Sequence, residues 1–119
     1  MKRTPLYDVH TKLNAKMVAF HDYLLPLQYG SIIDEHLQVR KTAGLFDISH
    51  MGRFGVSGTG AFTLIQNLIT NDASHLADKQ AIYTPLCNEQ GGSIDDILVY
   101  KQHENRFLLV VNSANATKD

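Results

Sequence analysis

Residues 81–112 read "AIYTPLCNEQGGSIDDILVYKQHENRFLLVVN", and their pattern decides the fold class. "AIYTPLC", "SIDDILVYK" and "RFLLVVN" are apolar runs of strand length, and "NEQGG" and "QHEN" between them are turn sequences. Strands joined by such short turns pair antiparallel. In the middle run, side chains alternate between faces, so Ile94, Asp96, Leu98 and Tyr100 share one side and Ser93, Asp95, Ile97 and Val99 the other. The adjacent acids therefore diverge, and both faces are apolar further along. A buried ionised carboxylate without a partner is costly, so some group must compensate it. One of the two acids is expected to hydrogen-bond the "NEQGG" backbone at the strand entry. The other is expected on an apolar face where a carboxylate meets a polar ligand, with burial raising its pKa.

Working outward, "GAFTLIQNLITND" before this sheet has helical periodicity, with Ala61, Leu64, Ile65, Leu68 and Ile69 on the face predicted to be buried. "LFDIS" and "RFGVSG" read as short strands joined through His50, Met51 and Gly52. The order β-α-β-β-β implies an α+β fold, an antiparallel sheet with a packed helix. Nearer the start, Pro5 and "LYDVHTKLN" predict a short helix, and "KMVAFHDYLLPLQYG" predicts extended chain broken by Pro26. "SIIDEHLQVRKTAG" predicts a helix, with Ser31 and Asp34 as a capping box and Gly44 as its stop. Ile33, Leu37 and Arg40 line one face of it. The one hint of a domain boundary lies near residues 50–53. At the far end, Asn112 or Ser113 is placed to cap a helix of which only a few residues follow, the pattern expected of a truncated chain.

Composition excludes several classes of function. With 119 residues, 44% hydrophobic and 19% charged, the chain suits one modest folded domain or a piece of a larger protein. Eleven Lys and Arg against twelve Asp and Glu leave no basic block for nucleic acid. No apolar run reaches membrane-spanning length, and the basic start lacks the apolar core of a signal peptide. The single Cys87 excludes an intrachain disulfide, and a cytoplasmic location is expected.

The six histidines, at 10, 21, 36, 50, 75 and 103, have no metal-ligand spacing, and no metal is expected. Cys87 in an apolar strand reads as a packed side chain. "FDISH" holds the residue types of a hydrolase triad, but alternation points Asp47 and Ser49 one way and His50 the other. "NEQGG" precedes no helix and reads as a turn, not as a phosphate loop.

Four segments together, "TPLYDVH", "LQYGSIIDEHLQVRKTAGLFDISHMG", "YTPLCNEQGGSIDDILVYK" and "RFLLVVNSAN", resemble in order and spacing the start of the aminomethyltransferase family of the glycine cleavage system, the T-proteins. Folate-binding modules of sarcosine and dimethylglycine dehydrogenases and of an iron–sulfur maintenance protein share the sheet. The "TPLYDVH" and "SHMG" segments favour the T-protein. The resemblance implies a truncated three-domain cloverleaf, with residues 1–51 an incomplete piece of the first domain and 52–119 most of the second. It implies transfer of the methylene of an aminomethyl group, carried on the dihydrolipoyl arm of the H-protein, to tetrahydrofolate with release of ammonia.

The same resemblance assigns Asp96 as the catalytic carboxylate beside folate, and Met51, Tyr83 and Asn112 as further folate contacts. It implies tetrahydrofolate as co-substrate, no metal, and lipoylated H-protein as partner, with no nucleic acid or membrane. The location is cytoplasmic in a bacterium, or the mitochondrial matrix in a eukaryote. The 119-residue chain alone is expected not to catalyse. Asp22 and Tyr23 depart from the family's Gly and frequent Trp, and Asp22 is expected to support a turn because Asp tolerates positive φ. The alternatives are a folate-binding regulatory or repair module without methylene transfer, and an unrelated α+β interaction domain whose acids only shape a turn.

Overall fold

Apolar periodicity gives way to strand alternation along this chain, and the computed structural model, which describes residues 1–119, shows the corresponding α+β architecture with antiparallel sheets and few helices. The chain divides into two compact units, Met1–His50 and Met51–Asp119.

The first unit runs β1 (Lys2–Arg3), α1 (Tyr7–Lys12), β2 (Lys16–Phe20), β3 (Tyr23–Gln28) and α2 (Ile32–Lys41). Its sheet has the order β1-β3-β2, with β1 parallel and β2 antiparallel to β3. Pro26 was expected to break the extended chain, yet it lies inside β3. Proline removes one backbone donor. Here β1 pairs only with Tyr23 and Leu24, so Pro26 is beyond that ladder, and it faces a register shift at Lys16/Met17 on the other side. The turn between β2 and β3 takes its positive φ at His21 (48°), not at Asp22.

Ser31 caps α2 as expected, its hydroxyl accepting from the Asp34 amide at 3.3 Å. The second carboxylate role passes to Glu35, which accepts from the Tyr29 and Gly30 amides at 2.7 and 2.8 Å. Gly44 does not provide a left-handed stop, and Thr42 is the C-cap. None of the α2 residues is buried, so the face of Ile33 and Leu37 remains open. "LFDIS" forms no strand because it has no partner strand. Phe46 and Ile48 point outward and Leu45 is fully exposed, while the Asp47 carboxylate is 1% exposed.

The second unit runs β4 (Gly52–Ser57), α3 (Ala61–Leu68), a single 3-10 turn at Ala73–His75, β5 (Ala81–Cys87), β6 (Ser93–His103) and β7 (Arg106–Val111). The four strands are antiparallel in the order β4-β7-β6-β5. Alternation sends Leu86, Ile97, Val99, Phe107, Leu109 and Val111 to one face, which packs with Ala61, Ile65, Ile69, Ala73 and Leu76 from the helical segment. Burying each large side chain of this set contributes about 1.5–3 kcal/mol. Leu64 was expected among them and is 48% exposed.

Gly91 and Gly52 shape the segments that lead into β6 and β4. Gly91 takes φ +79° in the turn before β6, and that turn is held by Asn88, whose Oδ1 accepts from the Gln90 and Gly92 amides. A Cβ on Gly52 would lie 2.6 Å from Val111 Cγ2 and 2.9 Å from Ala116 Cβ, so the segment after β7 closes over the start of β4 only because Gly stands there. The residues after Asn112 form hydrogen-bonded turns in place of a helix, with Asn112 O accepting from the Asn115 and Ala116 amides. At the sheet's edge, β5 carries Pro85, and its next residue Leu86 bridges back to Ile69.

Candidate functional site

The faces of β6 separate the two acids as alternation requires, but burial selects Asp95. Its side chain lies on the core face with Ile97 and Val99, and the residue is 4% exposed. Its compensation comes from the end of β7. Asp95 Oδ2 accepts from the Asn112 backbone amide at 2.9 Å, and Oδ1 accepts from Asn112 Nδ2 at 2.9 Å and from Asn115 Nδ2 at 2.6 Å. Burial works to raise the Asp95 pKa, but these three hydrogen bonds prevail and hold it below the usual carboxylate value. Asp119, beside it, is pushed up to about 6 by burial and by the Asp95 carboxylate. Neither acid supports the "NEQGG" turn, since Asn88 does so.

Asp96 is exposed on the opposite, uncovered face. The expectation of a buried acid beside Tyr100 is therefore corrected, because α3 packs against the other side of the sheet. Asp96 Oδ2 accepts from the Tyr83 hydroxyl at 2.7 Å. Tyr83 lies on the edge strand β5 opposite Leu98, two places along from the Pro85–Asp96 pair, and its phenol reaches diagonally to the acid. The hydrogen bond to Asp96 comes first in raising the Tyr83 pKa, so the phenol stays protonated and donating. On the other flank, Asn112 Nδ2 donates to Asp96 O at 3.0 Å and approaches Asp96 Oδ1 at 3.3 Å.

Tyr83, Asp96 and Asn112 thus form one hydrogen-bonded cluster. Met51 lies half-buried, just before the Gly52–Val111 pair and so at the same end of the sheet as Asn112, but outside that network. Around the cluster the open face is apolar and aromatic, with Leu98, Tyr100, Leu108 and Val110 on adjacent strands. An ionised carboxylate has about four lone-pair sites. The hydrogen bonds to Tyr83 and Asn112 leave Asp96 able to accept from a polar group that docks on a flat ring surface.

The residue types alone did not disclose Asn115 or the way Asp95 is compensated. The signal was present as "NSAN", two asparagines three apart at a strand end. Reading it required knowing that this end lies beside the two acids. The first unit holds a second buried polar cluster, in which His10 Nε2 lies 2.8 Å from Asp47 Oδ2 and His10 Nδ1 lies 2.6 Å from the Tyr29 hydroxyl. Asp47 Oδ1 accepts from the Ser49 amide. Burial would raise the Asp47 pKa, but hydrogen bonds from Ser49 and His10 hold it well below the usual carboxylate range. The "FDISH" acid therefore pairs with a distant histidine and not with His50, so no local triad forms, although the segment is not the strand on which the alternation reading relied.

Known proteins match this chain throughout. Residues 6–119 fit the family model described as the GCVT N-terminal domain. The aminomethyltransferase of Caldanaerobacter subterraneus subsp. tengcongensis is 55% identical over 119 residues, which is 100% of this chain and 32% of that protein. The aminomethyltransferase of Thermotoga maritima is 54% identical over 119 residues, again 100% of this chain and 33% of that protein. The crystal structure of glycine cleavage system aminomethyltransferase T from Bartonella henselae superposes with a TM-score of 0.91 at 41% identity, covering 99% of this chain and 33% of that one. The chain spans about a third of the length of the curated relatives it matches. A match of this extent to the GCVT N-terminal domain, in sequence and in fold, makes the chain a member of the glycine cleavage aminomethyltransferase (T-protein) family.

Proposed function

We propose that this chain supplies the folate-facing sheet of a tetrahydrofolate-dependent aminomethyltransferase, with residues 1–51 belonging to the first domain and 52–119 to the second. The observation that carries this reading is the Tyr83–Asp96–Asn112 cluster on an uncovered apolar face. A pteridine ring is flat and has several N–H groups, and such a face offers it stacking surface with one anionic acceptor.

In the proposed reaction, an aminomethyl thioether on the dihydrolipoyl arm of H-protein gives its methylene carbon to tetrahydrofolate. Bonds from that carbon to N5 and N10 form, and its bonds to sulfur and to the amine break. The two N–H protons end on the thiol and on ammonia. Asp96 accepts a hydrogen bond from the folate amine and aligns it for attack, while Tyr83 and Asn112 hold the carboxylate. Positioning and electrostatic complementarity carry the rate, with no covalent enzyme intermediate. Met51 adds a polarizable apolar contact to the ring. No helix of this chain is long and apolar enough to cross a membrane, and a cytoplasmic setting suits the reaction.

The test uses a chimaera in which residues 1–119 replace the matching third of the Thermotoga maritima aminomethyltransferase. Ammonia release from aminomethylated H-protein, and its dependence on tetrahydrofolate, are measured. Asp96→Asn is expected to lower turnover by about 100-fold or more with unchanged thermal stability. Folate binding without ammonia release by the unsubstituted chimaera would favour a binding module. A larger turnover loss for Asp95→Asn than for Asp96→Asn at equal stability would overturn the assignment of roles.

A further inference from the structure

We propose that Asp95 is a positioning residue acting through Asn112, fixing that side-chain amide with its nitrogen toward Asp96 and its oxygen free for a ligand N–H group. The inference rests on the folate reading above and adds to it a residue whose side chain lies on the far side of the sheet from Asp96. An asparagine amide has two nearly isosteric orientations, which differ in whether nitrogen or oxygen faces a given neighbour. The Asn112 nitrogen lies 2.9 Å from Asp95 Oδ1, 3.0 Å from Asp96 O and 3.3 Å from Asp96 Oδ1. Its two hydrogens are therefore divided, one to Asp95 and one to Asp96.

Ionised carboxylates only accept, so the opposite orientation would place the amide oxygen against two anionic groups. Asp95 is the acid suited to enforcing this choice. It is buried, and its carboxylate is fixed from two further directions, by the Asn112 backbone amide at 2.9 Å and by Asn115 Nδ2 at 2.6 Å. Lys118 Nζ donates to Ile94 O at 2.7 Å and ties the turn that carries Asn115 to the start of β6. With the nitrogen committed, Asn112 Oδ1 makes no hydrogen bond within the chain. It can present only an acceptor, so it selects a ligand edge that donates, such as the amide and amino N–H groups of a reduced pterin.

Two measurements test this. In the chimaera, Asp95→Asn is expected to raise the KM for tetrahydrofolate about tenfold, the effect of losing one well-placed hydrogen bond, with kcat within about threefold. Because the effect passes through Asn112, Asp95→Asn combined with Asn112→Ala should be no worse than Asn112→Ala alone. Asn115→Ser, which keeps Asp95, should raise the KM about threefold by the same scale and serves if Asp95→Asn does not fold. In the 119-residue chain, nitrogen-15 spectra should show the Asn112 side-chain protons slow to exchange, and fast in Asp95→Asn with the remaining spectrum retained. Additive KM effects, or an Asn112 signal indifferent to Asp95, would overturn the proposal. A wild-type chimaera without folate binding would instead overturn the folate reading, while the Asn112 signal would still decide the amide's orientation.

Discussion

A histidine with both ring nitrogens engaged, in a side chain 7% exposed, has little freedom in where its protons lie. The Asp47 carboxylate only accepts, so His10 Nε2 carries hydrogen toward it, and in the neutral ring Nδ1 accepts from the Tyr29 hydroxyl. Burial, followed by the charges of Asp47 and Glu35, raises the Tyr29 pKa and keeps that hydroxyl a donor. This chain of contacts joins α1, the residue following β3 and the segment before Met51. Replacing His10 with Leu strands a carboxylate that is 1% exposed and should cost about 3 kcal/mol, read from urea unfolding by circular dichroism. Tyr29→Phe leaves the Asp47 pair intact and should cost about 1 kcal/mol. The sequence displayed all three residue types, but their partnership spans 37 positions between His10 and Asp47. Local alternation could reject Asp47 with His50, yet it had no means of finding His10.

At the scale of elements, the second unit was the more legible. Period-two alternation within β5, β6 and β7 depends on the pleat alone, and short turns leave little choice of pairing. It separated Asp95 from Asp96 but could not name the buried one, because both faces of β6 are apolar and the choice depends on where α3 packs. Helix α2 shows the opposite failure. Its periodicity and Ser31 cap were readable, yet the apolar face is uncovered, since amphipathicity specifies a face to bury without supplying what buries it. "LFDIS" had strand composition without a partner strand, and composition cannot supply a ladder. The contact of the final turns with β4 yields a sharp prediction. Gly52→Val would force a Cβ into Val111 and Ala116 and should lower stability by about 2 kcal/mol in thermal unfolding. Gly55→Val, two residues short of the end of the same strand, meets open space and should be neutral or slightly stabilising.

At the scale of the whole molecule, each unit carries one buried carboxylate whose pKa is lowered by folding, Asp47 in the first and Asp95 in the second. Such acids contribute stability above their unfolded value of 3.8, and that contribution is lost as pH falls through the folded values. Asp119 runs the other way. Its folded value of about 6 exceeds the unfolded 3.8, so it favours folding as pH falls through that interval. Stability should therefore hold or rise slightly from about pH 6 to about pH 4 and fall steeply below. Denaturation midpoints across that range check it, and Asp119→Asn should flatten the upper limb alone.

The outer margin of β5 has a consequence for assembly. An unpaired strand margin is a template on which sheets polymerise, and Pro85 removes one of its donors while the Ile69–Leu86 bridge occupies the next position. Growth of the sheet past β5 is thereby blocked. Concentrated solutions should not form continuous intermolecular strand ladders from that side, and molecules that come to the β5 side of the sheet meet it across the surface that displays Tyr83 and Asp96.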